Sequence, residues 1–228
     1  MAPPDPPADP DRFEEAIRAF RARVPMTDAA FAQLVDGEEQ KAFRVAGLTQ
    51  ARAVQEVMDA LDRAIADGTT LEDFQAEVGG MLAEAWGGED APRVETLFRT
   101  NVMQAYNDGR AEVFADPEVR KSRPYLRFDA VGDSRTSEIC EALDGRVLPA
   151  DDPFWRTHSP PLHPNCRSIL TPLTDEEAAD EGITRGKPDV GDAAPAEGFG
   201  KTADNDNWEP DTSGLDPAVR KVFKERIE

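Results

Sequence analysis

The chain is poor in the residue types on which common enzyme signatures depend. Its 228 residues include two cysteines and two histidines. No His-Glu-x-x-His motif, P-loop or dinucleotide-binding glycine pattern is present, so peptidase and nucleotide chemistry have no support in the sequence. A run of about 18 apolar residues, which a membrane-spanning helix would need, is also missing. The sequence therefore predicts no membrane contact and none of these enzyme classes.

The cysteine content and the first residues both indicate a reducing compartment. Two cysteines are too few for the disulfide framework of a small secreted domain. The start of the chain is rich in proline and aspartate, and it lacks the basic residues and apolar stretch of a secretory signal. We expect the chain to fold in the cytoplasm, with its cysteines reduced or together holding a ligand.

The net charge of −20 is distributed unevenly along the chain. Residues 1–92 carry 8 basic and 19 acidic groups, residues 174–228 carry 7 and 15, and residues 93–173 are nearly neutral with 11 and 12. Duplex DNA is bound mainly through neutralisation of its phosphates, so this chain is poorly suited to coat DNA with its whole surface. Local contact between the middle segment and DNA stays open, and the acidic flanks favour basic protein partners.

Apolar residues at helical spacing follow a flexible proline-rich lead over residues 1–10. The predicted helices run from Asp11 to a stop at Pro25, from Thr27-Asp28 through Val35, from Val45 through Ile65 with Thr49 as N-cap, and from a capping box at Thr70 through Trp86. Residues 11–91 are therefore predicted to form a helical region.

The strongest helical pattern begins at Pro92, because proline is favoured in the first turn of a helix. Its apolar stripe continues to Phe114, with an interruption near Gly109. The polar face of this helix consists of Arg93, Arg99, Asn101, Gln104, Asn107 and Arg110. Such a face is usually solvated. Since basic groups are otherwise outnumbered in this chain, a surface toward an acidic protein or DNA is the alternative.

Beyond Pro117 the pattern changes from helical spacing to alternation. Strands are predicted at residues 125–131, 146–148 and 168–170, with a short helix over residues 136–143 between the first two. Helices followed by a small sheet indicate an α+β fold.

The domain organisation follows from these patterns. Residues 92–173 are predicted to form the motif domain, which contains the long helix and the small β-sheet. Residues 174–214 are acidic and poor in apolar residues, which is typical of a flexible linker or tail. Residues 215–228 regain weak helical spacing, so they are predicted to form a terminal amphipathic helix that docks on a partner or packs back on its own domain.

Both cysteines and both histidines lie in the predicted motif domain. His163-x-x-Cys166 resembles one half of a zinc site, with Cys140 as a third ligand and His158 or a nearby aspartate as the fourth. The alternatives are a buried cysteine beside a hydrogen-bonded histidine, a Cys140–Cys166 disulfide, and a metal- or thiol-dependent hydrolase or transferase. The sequence leaves these interpretations open.

The same domain contains five aspartates: Asp129, Asp133, Asp144, Asp151 and Asp152. A carboxylate cluster for a divalent cation is one interpretation. The simpler one is structural, with Asp133-Ser134-Arg135-Thr136 capping the short helix and Asp144-Gly145 turning into a strand. Arg135 and Arg167 are then expected to pair with these carboxylates and tie the loop across the sheet.

Many uncommon residues occur in a fixed order over roughly residues 71–173. They are Arg99-Thr100-Asn101, Tyr106, Gly109-Arg110, Asp133-Ser134-Arg135-Thr136, Leu143-Asp144-Gly145, His158 and Pro160-Pro161-Leu162-His163-Pro164-Asn165-Cys166-Arg167. This order resembles the minor head protein family of tailed bacteriophages, the group of phage Mu protein F and its head-morphogenesis relatives. Family members often end the motif with Cys-Arg-Cys and place a histidine at the position of Cys140. Here Ser168 follows Arg167.

The resemblance implies a non-enzymatic minor capsid protein of a tailed phage, prophage or gene transfer agent, acting as an assembly or adaptor protein. The portal protein and the major capsid protein are the expected partners, and contact with packaged DNA or an effect on its packaging or ejection is also implied. The expected locations are the host cytoplasm during assembly and the virion head. A DNA-associating internal head protein is an alternative.

We interpret ten residues as structural or partner-contact residues of the motif: Arg99, Asn101, Arg110, Asp133, Arg135, Thr136, Asp144, Gly145, His158 and Arg167. No catalytic residue is predicted, and zinc is the one cofactor that the sequence suggests.

Overall fold

The computed structural model describes residues 13–32, 42–186, 190 and 194–201. The helices of this part are α1 (Glu14–Arg21), α2 (Asp28–Phe31), α3 (Ala51–Asp67), α4 (Leu71–Trp86), α5 (Ala91–Ala115), α6 (Pro117–Ser122), α7 (Glu138–Leu143), α8 (Trp155–His158) and α9 (Asp175–Glu181). The strands are β1 (Val24–Pro25), β2 (Ala42–Phe43), β3 (Tyr125–Asp129), β4 (Val147–Pro149) and β5 (Ile169–Leu173). The order confirms the predicted α+β fold. The predicted lead over residues 1–10 and the terminal helix over residues 215–228 lie outside the described residues.

The long helix α5 is the central element of the helical region, because α1, α3 and α4 all contact it. The core between these helices includes Ile17, Phe20, Val54, Met58, Leu61, Phe74, Leu82, Val94 and Ala105. None of the helices in the described residues is both long and apolar enough to span a membrane.

The helix starts agree with the predicted caps at Thr27 and Thr70 and differ from the one predicted at Thr49. Thr70 and Asp73 form the predicted capping box at the start of α4. The predicted start of α3 was wrong, because the helix begins at Ala51 with Gln50 in the N-cap position and Thr49 outside it. Gly47, with φ of 90°, breaks any helix through residues 45–48. Val45 and Leu48 are therefore buried residues of a non-helical segment that precedes α3.

Helix α5 is continuous through Gly109, where the sequence predicted an interruption of the apolar stripe. Gly109 lies where α5 crosses α1, and its lack of a side chain allows the two backbones to approach closely. A Cβ atom at position 109 would lie 2.4 Å from the backbone nitrogen and 2.8 Å from Cα of Ala16. Only a residue without a side chain fits this crossing.

The second core lies beside the antiparallel sheet, whose strand order is β4-β3-β5. Alternate residues of β3, Leu126 and Phe128, point into this core together with Leu143 and Leu162. The register pairs Arg127 with Val147 on one side and with Thr171 on the other. The first strand is shorter than predicted and the third is longer, ending at Leu173.

The acidic segment after the sheet is partly packed, which differs from the linker predicted over residues 174–214. Helix α9 begins with a capping box, and its Ala178 is buried against Val147 and Leu173. Farther along, backbone hydrogen bonds join residues 196 and 200 to residues 159–162. Capping and one small apolar residue suffice to dock a short helix, and composition alone does not reveal this. The division into domains stays a prediction.

Replacing Gly109 with alanine should destabilise the helical region. The added methyl group meets backbone atoms of α1, which cannot rotate away as a side chain could. Overpacking of this kind typically costs about 1–3 kcal/mol, which urea unfolding of the purified variant would measure. Gly80→Ala on α4 is the control, because nothing lies within 4 Å of its Cβ position, and it should stabilise by roughly 0.5–1 kcal/mol. Equal stability of Gly109→Ala and the wild type would contradict the close crossing.

Candidate functional site

The first turns of α5 bind the motif loop, which consists of the adjoining segments 130–137 and 159–168, through Asn165. Asn165 has φ of 59°, a left-handed conformation that asparagine tolerates better than most residues. Its backbone N–H donates to Oγ1 of Thr100 at 3.0 Å, and its side-chain Nδ2 donates to Oγ1 of Thr96 at 2.9 Å. Two threonines one helical turn apart thus bind both polar ends of a single loop residue.

Farther along α5, two more polar side chains bind the chain that leads into β5. Nδ2 of Asn107 donates to the carbonyl oxygen of Ser168 at 3.3 Å, and Nη2 of Arg110 donates to that of Leu170 at 3.2 Å. Asn107 is only 8% exposed. The polar face of α5 is therefore an internal contact with residues 165–170, and its interpretation as a solvated or DNA-facing surface was wrong for these residues.

A bidentate ion pair closes the loop, as the sequence predicted for Arg167. Nη1 and Nη2 of Arg167 donate to Oδ2 and Oδ1 of Asp133 at 2.8 and 2.5 Å. Arg135 is more distant, with 3.8 Å between its Nη2 and Oδ2 of Asp133, and it is largely exposed. Two side chains 34 positions apart in sequence are held in one geometry.

Asp133 does not cap the helix, which corrects the sequence interpretation. The N-cap of α7 is Ser137, whose Oγ accepts from the backbone N–H of Cys140. Asp133 instead forms a turn of its own, because Oδ1 accepts from the N–H of Arg135 and Oγ1 of Thr136 accepts from the N–H of Asp133. The helix starts two residues later than predicted because serine, not aspartate, takes the capping position.

The turn at Asp144-Gly145 is as the sequence predicted. Gly145 has φ of 71°, and its N–H donates to the carbonyl oxygen of Phe128. Oδ1 of Asp144 accepts from the N–H of Ala130 at 2.8 Å, at the point where β3 ends. The carboxylate thus ends one strand while the glycine starts the next.

Cys140, His163 and Cys166 come together in one cluster. Their ligand atoms all lie within 4.8 Å of one another. The two Sγ atoms are 3.7 Å apart, and Nε2 of His163 is 3.4 Å from Sγ of Cys140. The cysteines are free thiols, so the Cys140–Cys166 disulfide is not formed in this structure. Nε2 of His163 also lies 2.8 Å from Oγ of Ser137.

The two thiols differ in acidity because they share one short contact. A hydrogen bond donated by Cys140 lowers the pKa of the Cys166 thiol to about 5, and backbone N–H groups of Leu162 and Ser168 assist. The pKa of the Cys140 thiol is raised, because its proton is held by Cys166 and because the side chain is buried.

Several residues proposed from the sequence lie outside this cluster. His158 stacks on Phe154 with ring centroids 4.1 Å apart, and its Nδ1 lies 2.8 Å from Oγ1 of Thr157, so it is not the fourth ligand that the sequence suggested. In the described part of the chain, the potential metal group of three or more side chains consists of Cys140, His163 and Cys166, and no aspartate joins it.

The remaining polar residues of α5 are also engaged within the chain. Arg99 pairs with Glu95, and Nδ2 of Asn101 donates to the carbonyl oxygen of Leu97 one turn earlier. Arg93 stacks on Trp86. Arg93 and Arg99 stay exposed on the surface of α5.

Sequence analysis missed the threonines, and it placed Asn107 on the wrong kind of face. Thr96 gave no signal, because single threonines on a helix are common, and Thr100 appeared only within the Arg99-Thr100-Asn101 motif, without a role of its own. Asn107 was assigned to a solvated face by periodicity. The one available signal was the number of amides and hydroxyls on this helix, since several hydrogen-bonding groups on one face suit backbone contact as well as water.

The order of residues along α5, the motif loop and β5 is that of a class of bacteriophage protein. The chain belongs to the family described as Phage Mu protein F like protein, whose profile matches residues 55–171. The matched range begins within α3 and ends within β5, so it contains the Cys/His cluster and the Asp133–Arg167 pair. The resemblance seen in the sequence is therefore confirmed.

Two curated relatives are similar to the chain. It is 31% identical over 162 residues to the Mu-like prophage FluMu F protein of Haemophilus influenzae, a match that covers 65% of this chain and 39% of the relative. It is 29% identical over 189 residues to the putative capsid assembly protein F of Escherichia phage Mu, covering 75% and 42%. The chain thus spans about two fifths of the length of these relatives. No solved structure matches it significantly.

Removing the amide of Asn107 should weaken the contact between α5 and β5. Asn107→Ala leaves the buried carbonyl oxygen of Ser168 without this donor, and such a loss costs about 1–3 kcal/mol. Asn101→Ala is the matched control, because Asn101 is on the same helix and its side chain binds only a carbonyl oxygen one turn away. Urea unfolding of both variants would test this. A larger loss for Asn101→Ala than for Asn107→Ala would contradict the assignment.

The Asp133–Arg167 pair predicts a pH dependence of stability. Hydrogen bonds from Arg167 and from the N–H of Arg135 hold the pKa of Asp133 far below its usual range. A lowered folded-state pKa stabilises above the unfolded value of about 3.9, and this contribution disappears as pH falls through the folded pKa. Wild type should therefore exceed Asp133→Asn in stability at neutral pH, and the difference should shrink below about pH 4.

Denaturant unfolding at a series of pH values would measure this difference. Asp151→Asn, on an exposed turn, is the control for a change of charge alone. A difference between wild type and Asp133→Asn that does not vary with pH would show that the ion pair does not form in solution.

Proposed function

We propose that this chain is a minor capsid protein that acts in head assembly of a tailed phage, a prophage or a gene transfer agent. The observation that carries the proposal is the 29% identity over 189 residues to a protein named putative capsid assembly protein F. The family of the chain is named after a phage Mu protein, and its other curated relative is named as a prophage protein, which supports the same role. The host cytoplasm and the virion head are the locations that this role requires.

The mechanism we propose is that of a non-enzymatic adaptor. The motif loop is tied to α5 at Asn165 and closed by the Asp133–Arg167 pair, so its outer residues are held in fixed positions. Preorganised surfaces bind partners with a smaller loss of conformational entropy. A rigid loop on a helical scaffold therefore suits recognition of a capsid subunit.

The features of the Cys/His cluster also favour an adaptor over a hydrolase or transferase. Cys140 and Cys166 are 3% and 1% exposed, whereas an attacking thiolate must reach its substrate. The pocket beside them has a volume of about 10 Å3, far below the range of roughly 300–1,000 Å3 typical of small-molecule sites.

The partner-facing surface we propose is the outer side of the motif loop. Val131 is 53% exposed although it is apolar. Arg135 is exposed beside it, and both line the shallow pocket next to the loop. An apolar residue and an arginine at the centre of a polar surface are typical of protein interfaces. The portal protein and the major capsid protein are the proposed partners.

Co-purification tests the proposal. The tagged chain would be expressed with the portal and major capsid proteins encoded beside it, and recovered complexes would be analysed by native mass spectrometry. We expect portal or capsid subunits in fixed stoichiometry with the wild type. Val131→Asp should reduce recovery by roughly tenfold or more, since central interface residues often contribute over about 1.4 kcal/mol.

Ile183→Asp is the matched control, because Ile183 is also an exposed apolar residue and lies outside the motif loop. It should leave recovery unchanged. Equal losses for Val131→Asp and Ile183→Asp would argue against the loop as the contact surface. Failure to recover either partner with the wild-type chain would contradict the adaptor role, and salt-sensitive DNA retention instead would favour the internal DNA-associating alternative.

A further inference from the structure

The proposed adaptor role makes no use of Cys140, His163 and Cys166, although they form the most concentrated group of metal-ligand atoms in the described residues. Two soft sulfur ligands and one imidazole suit zinc, which is bound in tetrahedral geometry by these ligand types. Whether the three atoms are placed for one ion can be judged from their separations.

The separations match a tetrahedral zinc site. Zinc–sulfur bonds of about 2.3 Å and zinc–nitrogen bonds of about 2.0–2.1 Å place ligand atoms roughly 3.5–3.8 Å apart around a tetrahedron. The two sulfurs are 3.7 Å apart, and Nε2 of His163 is 3.4 Å from Sγ of Cys140. A disulfide would require about 2.05 Å between the sulfurs. The sulfur–sulfur edge thus lies within this range, the edge from Cys140 to His163 is slightly shorter, and the third edge, from His163 to Cys166, is at most 4.8 Å.

The imidazole of His163 has the tautomer that a metal ligand needs. Its Nδ1 lies 2.8 Å from the carbonyl oxygen of Pro164, which can only accept a hydrogen bond, so Nδ1 carries the proton. Nε2 is then the unprotonated nitrogen, with its lone pair 2.8 Å from Oγ of Ser137 and 3.4 Å from Sγ of Cys140. A metal-bound histidine usually donates its other ring N–H to a carbonyl or carboxylate in this way.

The charges of the three side chains suit a buried divalent ion. Two thiolates would neutralise the charge of the ion, so a neutral site could be buried here without a further carboxylate. In the described part of the chain the cluster indeed contains no aspartate.

We propose that Cys140, His163 and Cys166 bind one zinc ion, with a water molecule as the fourth ligand on the side of the pocket lined by Thr136 and Ser137. The ion links α7 to the segment 163–166, which Asn165 already joins to α5. Its role is structural: it holds the motif loop between the helix and the sheet. The site does not depend on the adaptor proposal, because metal content and partner recovery are measured separately.

The full chain, purified without chelating resin, tests this site. We expect about one zinc per chain by elemental analysis, and tetrahedral absorption with thiolate-to-metal charge transfer after replacement by Co²⁺. Both thiols should resist a maleimide reagent until a chelator removes the metal, because metal-bound thiolates are shielded. The cobalt spectrum and the thiol titration use the wild-type chain, so they do not depend on variants that fold.

The two histidines of the chain offer a matched pair of variants. His163→Gln should weaken zinc binding in a chelator competition by more than the roughly 10–100-fold that loss of a supporting partner causes, because it removes a direct ligand. His158→Gln should leave affinity unchanged, since His158 stacks on Phe154 outside the cluster.

Three results would overturn the proposal. The first is a chain without zinc that takes up none when reduced and supplied with Zn²⁺. The second is a chain lighter by two hydrogens with both thiols unreactive, which indicates a Cys140–Cys166 disulfide. The third is equal zinc affinity in His163→Gln, His158→Gln and the wild type, which indicates binding elsewhere.

Discussion

The structure depends on hydrogen bonds between the polar face of α5 and the backbone of residues 165–170. Thr96 and Thr100 hold Asn165, while Asn107 and Arg110 hold the carbonyl oxygens of Ser168 and Leu170. Buried backbone polar groups need hydrogen-bond partners. Strand β5 lies at the edge of the sheet, so α5 supplies the donors for the carbonyl oxygens of Ser168 and Leu170. One helix therefore supports both cores, contributing Val94 and Ala105 to the first and Phe114 to the second.

This arrangement explains why the Cys/His cluster and the ion pair lie together. Once Asn165 is bound to α5, its neighbours on both sides have little freedom. His163 and Cys166 then face Cys140 on α7, and Arg167 faces Asp133. A proposed zinc ion and an observed ion pair act on the two sides of the same loop, so its outer surface is held from within. Such a loop presents Val131 and Arg135 to a partner at little entropic cost.

The parts of the fold that were predicted correctly are those decided by neighbours in sequence. The capping box at Thr70, the long helix from Pro92 and the turn at Asp144-Gly145 each depend on residues within a few positions of one another. The errors involve distant contacts. Gly109 was predicted only to interrupt the apolar stripe, yet it accommodates α1, and Asn107 was predicted to be solvated but binds Ser168. Periodicity gives the face on which a residue lies, and it does not identify what covers that face.

The sequence by itself determined the α+β class, the family and the membership of the candidate site, because rare residues in a fixed order are recognisable without coordinates. Only the tertiary structure decided which of them meet. Cys140 and Cys166 are 26 positions apart and Asp133 and Arg167 are 34 apart, so no local rule relates them. These residues meet because α7 and the sheet fold back on each other. That folding depends on burial of the two cores and not on local preference.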